Sequence, residues 1–409
     1  MKLVVIGAQW GDEGKGKMVD YLAEDADLVV RFSGGANAGH TIKVDNKTFK
    51  LHLVPAGIIY PGKNVVLGNG MVIDPESLFE ELAQIKSQGV SWEGRVFVSD
   101  RAHLVLPSYK KEDIEMDPKR PRPIGTTGRG IGIAYGRKAY RDGIRVADLW
   151  DDMVWDALDA SDQEWLSPFK ERLSSMKVNM AGFMMANKDR NILLEGAQGA
   201  LLDLDHGTYP YVSSGISTSA GAALGSSMGF RFIDKVLGVF KAYQTRVGNG
   251  PMPTEMLEGD DLVLGNNLRE LGHEYGATTG RPRRIGYLDL VALKYAGWVN
   301  GLDGFILSHL NLYDGFETLS ICTAYEIDGK EVTDFPSLTT DLEKVKPILK
   351  ELPGWEGKVG DARNWDEIPE GAKKVIAFIE EYTGVPVAGY SVGPLRDETF
   401  MKEPAWTKS

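Results

Sequence analysis

Cysteine is nearly absent from this sequence: Cys322 is alone among 409 residues, so the chain cannot form an internal disulfide. This fits a reducing compartment, and we expect a cytoplasmic protein. Long apolar runs are also missing. No run approaches the roughly 18 apolar residues that span a bilayer, and the opening run at 3–6 is too short for a signal-peptide core. We therefore expect no membrane association.

An excess of basic residues is missing as well. The formal net charge is −12, which argues against a general attraction to nucleic acid or to anionic membranes. A local basic pocket for phosphates remains compatible with this charge. The hydrophobic content of 43% is enough for a large core.

Short β-branched runs that end in glycine-rich or polar loops predict an α/β nucleotide-binding fold. Ligands bind such folds at the carboxyl ends of the strands. Residues 75–88 and 147–188 read as helical, and 107–125 as a polar surface segment. We expect one domain over 1–409, with helical embellishments at about 100–190 and 325–375. The strands are predicted at 3–6, 28–32, 64–67, 95–98, 191–194 and 305–307.

The first loop reads Gly-Ala-Gln-Trp-Gly-Asp-Glu-Gly-Lys-Gly-Lys over residues 7–17. Its glycines let backbone N–H groups converge on phosphate, and its lysines add charge. It departs from the usual P-loop in spacing and lacks the hydroxyl that holds Mg²⁺. Asp12 is therefore the candidate metal ligand and general base. The alternative is a solvated acidic turn.

Four further segments carry polar groups. His40 follows a glycine-rich loop and is a candidate acid. Residues 125–130 are either a phosphate-binding loop, with hydroxyls, backbone N–H groups and a guanidinium, or a flexible turn. Gln198 can donate and accept at a purine edge. Residues 277–284 are the most basic stretch and suit carboxylate recognition, unless they are a solvated charged turn.

Residues 11–17 closely resemble the Gly-Asp-Glu-Gly-Lys-Gly-Lys signature of adenylosuccinate synthetases, and at least five motifs follow in that family's order. The resemblance implies a single α/β domain around a large, mostly parallel sheet with a P-loop-like nucleotide site. It also implies a homodimer, Mg²⁺ and a purine-biosynthesis ligase. In that reaction a 6-phosphoryl intermediate of IMP reacts with L-aspartate at the expense of GTP.

The resemblance also implies roles for individual residues. Asp12, His40 and Gln198 are catalytic, Asp12 and the Gly39 carbonyl bind Mg²⁺, and Arg141 completes the partner's site. The co-substrate and metal site comprises Gly11, Asp12, Glu13, Gly14, Lys15, Gly16, Lys17, Gly39, His40, Thr41, Arg283, His309, Leu310, Asn311, Ser391, Val392 and Gly393. The substrate site comprises Asn37, Ala38, Thr127, Arg141, Gln198, Ser213, Ala277, Thr278, Thr279, Gly280, Arg281, Pro282 and Arg283.

The donor-base motif is where the sequence departs from the family. The family reads guanine with Lys-x-Asp, whereas this chain has His309-Leu310-Asn311. An Asn side chain has one acceptor and one donor, so it cannot accept both guanine protons and suits adenine better. The donor is therefore either ATP, or GTP held through backbone groups near 391–394.

Two rival functions remain open. Viral relatives that act on dGMP with ATP replace the loop Asp with Ser, so the retained Asp12 favours IMP. A nucleotide-binding regulator without catalysis would be expected to lose Asp12, His40 or the aspartate loop, and all three are present.

Overall fold

The structure is a computed structural model that describes residues 1–44, 47–276, 280–393 and 395–407. The strands are β1 (Lys2–Gly7), β2 (Leu28–Gly34), β3 (His40–Val44), β4 (Lys47–Leu51), β5 (Asn64–Ile73), β6 (Val96–Ser99), β7 (His103–Leu104), β8 (Lys177–Val178), β9 (Ile192–Glu195), β10 (Lys235–Lys241), β11 (Tyr243–Arg246), β12 (Arg284–Asp289), β13 (Gly304–Ser308), β14 (Thr318–Ile327), β15 (Lys330–Val332), β16 (Lys346–Pro353), β17 (Val387–Ser391) and β18 (Thr399–Met401). The helices are α1 (Lys15–Ala23), α2 (Pro75–Ser87), α3 (Pro107–Met116), α4 (Ile131–Tyr140), α5 (Asp152–Asp156), α6 (Ala160–Ser174), α7 (Met180–Ala186), α8 (Ala220–Ser226), α9 (Gly259–Leu271), α10 (Leu290–Asn300), α11 (Thr339–Leu342) and α12 (Glu370–Thr383).

A sheet of eleven strands dominates the described part of the chain. Its order is β18-β17-β13-β10-β1-β9-β2-β5-β6-β8, with β7 paired to β5. These pairs are parallel except β17 with β18, which confirms the expected large, mostly parallel sheet. Because the strands are parallel, the loops after β1, β2, β9, β10, β13 and β17 all leave at one edge.

The core lies on both faces of this sheet. In β1, Leu3 and Val5 pack into one apolar cluster, whereas Val4 and Ile6 pack into the other. Alternation of this kind, with both faces buried, is typical of parallel sheets covered by helices. Helices α1, α2, α4 and α6 cover the first face, and α7, α8, α10 and α12 contribute to the second.

The six predicted strands are confirmed as β1, β2, β5, β6, β9 and β13, and β5 is longer than expected. The predicted helix at 75–88 is α2. Residues 147–188 form α5, α6 and α7, with the short strand β8 between the last two. The segment 107–125 was predicted only to be polar and at the surface, and its first half forms α3. Asp113 in this helix and Asp117 directly after it bind the loop that follows, as described below.

A second sheet was not predicted. It has five strands within the described residues, in the order β11-β12-β14-β15, with β16 paired to β14. Two of its strands carry little apolar signal, since β16 is exposed or half-buried along its whole length and β15 has three residues, none of them buried. The apolar pattern that reveals the central strands is therefore weak in β15 and β16. Within the described residues, no helix is long and apolar enough to cross a membrane.

Candidate active site

The loop between β1 and α1 is held by a carboxylate that faces inward. Glu13 is fully buried, and its Oε1 accepts hydrogen bonds from the backbone N–H groups of Gln9 (3.1 Å) and Gly11 (2.9 Å). Its Oε2 pairs with Lys15 Nζ at 2.6 Å. Glu13 is therefore an internal brace of the loop, and it does not line the cavity described below. This removes the electrostatic conflict between two loop carboxylates and a phosphate.

Asp12 faces the opposite way from Glu13. Its φ is +58°, a left-handed conformation that Asp tolerates, and Gly14 at φ +90° is the N-cap residue of α1. The Asp12 side chain is 40% exposed at the cavity wall, and its Oδ2 lies 3.1 Å from Arg283 Nε. Asp12 is thus the loop carboxylate that is accessible to a ligand.

His40 lies on the cavity wall among charged groups. Burial, and after it the nearby Arg31, Lys15 and His52, together lower its pKa to about 3. Its Nε2 is 3.9 Å from Glu195 Oε1 and has no hydrogen-bond partner. His40 is consequently neutral at neutral pH in the ligand-free protein, so it can donate or accept one hydrogen bond without carrying charge.

Several polar atoms are buried at this cavity without a hydrogen-bond partner within the described residues. They include Asn37 Oδ1 and His40 Nε2 of one loop, and Gln198 Nε2 and Ser213 Oγ of two others. Gln198 also has a left-handed backbone, with φ +57°, at the turn after β9. Buried polar atoms without partners are costly, so their convergence indicates a polar ligand.

The 124–130 loop is fixed to the end of α3. Asp117 accepts backbone N–H bonds from Ile124 (3.0 Å), Gly125 (3.0 Å) and Thr126 (3.2 Å). Asp113 accepts from Thr126 Oγ1 at 2.9 Å. The loop is therefore well braced and is not the flexible turn that was the alternative.

Thr127 is exposed on this braced loop and lines the cavity. Arg141 follows α4 in a left-handed conformation (φ +70°) and is exposed away from the cavity of its own chain. The structure therefore brings Thr127 to the site and leaves Arg141 outside it.

The basic segment contributes Arg283 to the cavity. Arg283 reaches Asp12 on one side and donates from Nη1 to Glu274 Oε2 at 2.5 Å on the other. Gly280, Arg281 and Pro282 are exposed and do not line the cavity. Ala277, Thr278 and Thr279 lie outside the described residues.

The two predicted donor-base loops are neighbours. Ser308 and Ser391 pair across β13 and β17, and the His309 N–H donates to the Ser391 carbonyl at 3.3 Å. Lys17 Nζ reaches the same place, donating to Ser391 Oγ at 2.9 Å and to the Gly393 carbonyl. Burial lowers the Lys17 pKa to about 8. Leu310 and Val392 are buried, and Asn311 is half-buried. None of residues 309–311 and 391–393 lines the main cavity.

The main cavity has a volume of about 580 Å³. The predicted site residues that line it are Gly11, Asp12, Gly14, Lys15, Gly16, Lys17, Asn37, Ala38, Gly39, His40, Thr41, Thr127, Gln198, Ser213 and Arg283. Gly16 has a steric reason to be glycine, since a Cβ there would lie 2.6 Å from the His40 Cβ. One edge of the sheet thus brings together most of the site that the sequence predicts.

Several buried polar and charged side chains in and behind this wall were not predicted from the sequence. Arg31 and Glu195 line the cavity beside His40, and burial raises the Glu195 pKa. Glu274 holds Arg283, and the Gln9 side chain bonds the backbone of 241 and 243. Arg31 could have been noticed because it lies within a predicted apolar strand. A charged residue is almost never fully buried unless it is paired.

A magnesium ion at this site would need ligands from the protein, the phosphates and water together. Within the described residues, no three His, Cys, Asp or Glu side chains cluster as a metal site. Asp12 offers an accessible carboxylate, and Gly39 is exposed on the cavity wall. One carboxylate and one carbonyl, completed by phosphate oxygens and water, suit Mg²⁺, which keeps several non-protein ligands.

The fold and the cavity together define an α/β nucleotide-binding protein with a P-loop-like first loop. The family model for adenylosuccinate synthetase matches residues 4–164 and 151–400, so the chain belongs to the adenylosuccinate synthetase family. An adenylosuccinate synthetase of Moorella thermoacetica is 46% identical, with 98% of this chain and 99% of the relative covered. These findings confirm the predicted family and with it the class of ligase.

Solved structures agree with this assignment. The fully ligated adenylosuccinate synthetase of Plasmodium falciparum has a TM-score of 0.89 and 37% identity, covering 98% of this chain and 99% of that one. The succinoaminodeoxyadenylate synthetase of cyanophage S-2L, bound to dGMP and dATP, has a TM-score of 0.66. Its identity is 21%, with 99% of this chain and 96% of that one covered, so it supports the fold alone.

Proposed function

We propose that this chain joins L-aspartate to IMP with hydrolysis of a nucleoside triphosphate, forming adenylosuccinate for purine nucleotide synthesis. The observation that carries the proposal is the set of unpartnered atoms on Asn37, His40, Gln198 and Ser213, which face one cavity beside Asp12. A polar purine nucleotide supplies partners for such atoms, and Asp12 supplies a base beside them.

The proposed reaction has two steps. Asp12 removes the N1 proton of IMP, and O6 attacks the γ-phosphorus of the donor while the bond to the leaving diphosphate breaks. The neutral amine of aspartate then attacks C6, phosphate leaves with O6, and the amine nitrogen gives one proton to water. Neutral His40 donates its N–H to the charge that develops on the phosphoryl group, and Lys15 adds a cation already fixed by Glu13.

Asp12 and the Gly39 carbonyl are the groups that would hold Mg²⁺ in this proposal. Bound there with the phosphates, the ion supplies charge neutralisation for phosphoryl transfer. Arg283 pairs with Asp12 in the described structure. It therefore balances the Asp12 charge when no cation is present.

The second substrate is proposed to bind through its carboxylates at the basic segment. Arg283 lies at the cavity wall, and Arg281 is exposed two residues before it. The planar fork of a guanidinium suits bidentate pairing with a carboxylate. The remaining predicted groups, Ala277, Thr278 and Thr279, lie outside the described residues.

We also propose that the chain is one domain and works as a homodimer. Arg141 is exposed and lies outside its own cavity, as a residue that completes the partner's site must be. Mixing an inactive Arg141→Ala variant with an inactive Asp12→Asn variant should restore activity, because one site of a mixed dimer has both groups intact. Activity that stays absent in verified mixed dimers would contradict a shared site.

The identity of the donor is best tested at Asn311. The adjacency of the two donor-base loops supports a base site there, and GTP is the co-substrate of the family. Asn311 lacks the second acceptor that pairs with guanine, which favours ATP or a relaxed preference. The decisive test of the whole proposal is the initial rate of phosphate release with GTP or ATP, IMP or dGMP, each with and without aspartate.

The proposal expects release that depends on both IMP and aspartate. A strong GTP preference would remove the ATP alternative, and preference for dGMP would reassign the acceptor. Nucleotide binding without aspartate-dependent release would instead indicate a regulator without catalysis.

A further inference from the structure

Glu274 is a buried carboxylate shared by side chains from three parts of the chain. It is 1% exposed and accepts hydrogen bonds from Tyr243 Oη and Arg283 Nη1, both at 2.5 Å, and from Lys241 Nζ. Burial alone would raise its pKa, but the charges of Lys241 and His309 and the hydrogen bonds from Lys241 and Tyr243 lower it to about 2. Glu274 is therefore a fixed negative charge behind the cavity wall.

Lys241 already balances this charge. It is 1% exposed, pairs with Glu274 and donates to Thr245 Oγ1 at 3.1 Å. The core thus has no electrostatic need for a second cation on Glu274. Arg283 nevertheless adds one, and it extends the alternation of charge from Lys241 through Glu274 and Arg283 to Asp12 at the cavity.

The two contacts of Arg283 differ in quality. Its Nη1 bond to Glu274 is short and partly buried. Its Nε lies 3.1 Å from Asp12 Oδ2 but is not aligned for a hydrogen bond with it. The guanidinium is therefore fixed at Nη1 by Glu274 and only loosely held at Nε by Asp12. An incoming carboxylate can replace Asp12 with little loss of interaction energy.

We propose that Glu274 is the positioning residue of Arg283: it holds the guanidinium at the cavity wall so that it receives a carboxylate of the aspartate substrate. This inference rests on the proposed function. A long Arg side chain loses rotamer freedom when it binds a ligand, and Glu274 removes that loss in advance.

The next residue supplies a matched control. Arg284 pairs with Glu255 through two hydrogen bonds, so the chain has two Arg–Glu pairs at adjacent positions. Only Arg283 of the two lines the cavity, and neither Glu255 nor Glu274 does. Removing the charge of Glu255 disturbs a comparable pair without freeing a cavity side chain.

The experiment compares Glu274→Gln with Glu255→Gln in steady-state kinetics. Loss of a charge-assisted bond predicts a rise in the KM for aspartate of about ten- to a hundredfold in Glu274→Gln. The KM for IMP should change by less than about threefold, since other segments form its site. Glu255→Gln should leave both constants near the wild-type values. An unchanged KM for aspartate in a folded Glu274→Gln variant would overturn the proposal.

A second variant separates positioning from folding. Glu274→Gln leaves Lys241 buried without its counter-charge, which lowers stability. The double variant Glu274→Gln/Lys241→Met removes both charges, so its melting temperature should recover while its KM for aspartate stays high. Recovery of both together would show a merely structural role and overturn the proposal.

A wild-type protein without aspartate-dependent phosphate release would overturn the proposed function and this inference together, whereas an effect limited to stability would overturn only this inference.

Discussion

The cavity receives cations from two loops that are held in different ways. Lys15 in the first loop is held by Glu13, two residues earlier, which also binds two N–H groups of the same loop. Arg283 is held by Glu274, which depends on Lys241 and Tyr243 more than 30 residues earlier in the chain. The first brace, Glu13, is close in sequence to the lysine that it holds. The second brace, Glu274, depends on residues that only the folded chain brings together.

The two braces meet through Gln9. Its side chain donates to the carbonyls of Lys241 (3.1 Å) and Tyr243 (3.2 Å) and accepts from the Lys241 N–H (3.0 Å). The backbone of the first loop is thereby fixed to the strands that carry the second brace. The comparison teaches that two cations of one cavity, Lys15 and Arg283, can be fixed in advance by different means. One is held by a neighbour in the sequence and the other by residues that only the fold brings together.

Asp12, where the two loops converge, should show the largest effect. Asp12→Asn cannot take a proton, so we expect kcat to fall by about 10²- to 10⁴-fold. Arg283 remains held by Glu274, so the KM for aspartate should stay close to normal. Steady-state kinetics with the exposed Asp25→Asn as control measure both constants. A fall in kcat of less than tenfold would mean that Asp12 is not the base.

Asn311 tests a site that, like the second brace, is assembled by distant strands. Asn311→Asp would restore a second acceptor for guanine, so the ratio of kcat/KM for GTP over ATP should rise by about tenfold or more. Initial rates with each donor measure this ratio, and the IMP constants serve as an internal control. A ratio that does not move would place the base away from Asn311.

Glu13 tests the local brace. Glu13→Gln keeps the shape but loses the charge, so the free energy of unfolding should fall by about 1–3 kcal/mol. Donor binding should also weaken, because Lys15 loses its fixed partner. Chemical denaturation compares this variant with Glu24→Gln, whose side chain is exposed. Equal stability in the two variants would show that the brace contributes little.

The effect expected to be smallest at neutral pH is that of His40, because its protonation changes stability only at acid pH. The His40 pKa is lowered to about 3, whereas an unfolded His titrates near 6.5. Between these values the unfolded state binds more protons, so the free energy of unfolding falls as the pH drops from about 6.5 toward 3. In His40→Asn this fall should be shallower. Denaturation at several pH values measures it, with the surface variant His206→Asn as control, and identical slopes for His40→Asn and wild type would contradict the low pKa.

The difference between local and distant support also explains what could be predicted from the sequence. The strand at 3–6, the loop at 7–17 and the position of Asp12 at the cavity could be predicted because their signals are contiguous. Glu13 was expected to face a phosphate, but it faces inward, since sequence spacing does not specify which way a side chain points. The role of Glu274 was not predictable, because its partners lie on β10, β11 and the segment before β12.

The most direct test of the proposed function follows one atom. The wild-type protein is incubated with IMP, with either GTP or ATP, and with aspartate labelled with ¹⁵N in its amine. The mass of the nucleotide product is then measured by mass spectrometry. We predict a product that contains the labelled nitrogen and the aspartate carbon skeleton, with one phosphate released for each product formed. Phosphate release without transfer of the label, or transfer without phosphate release, would contradict the account.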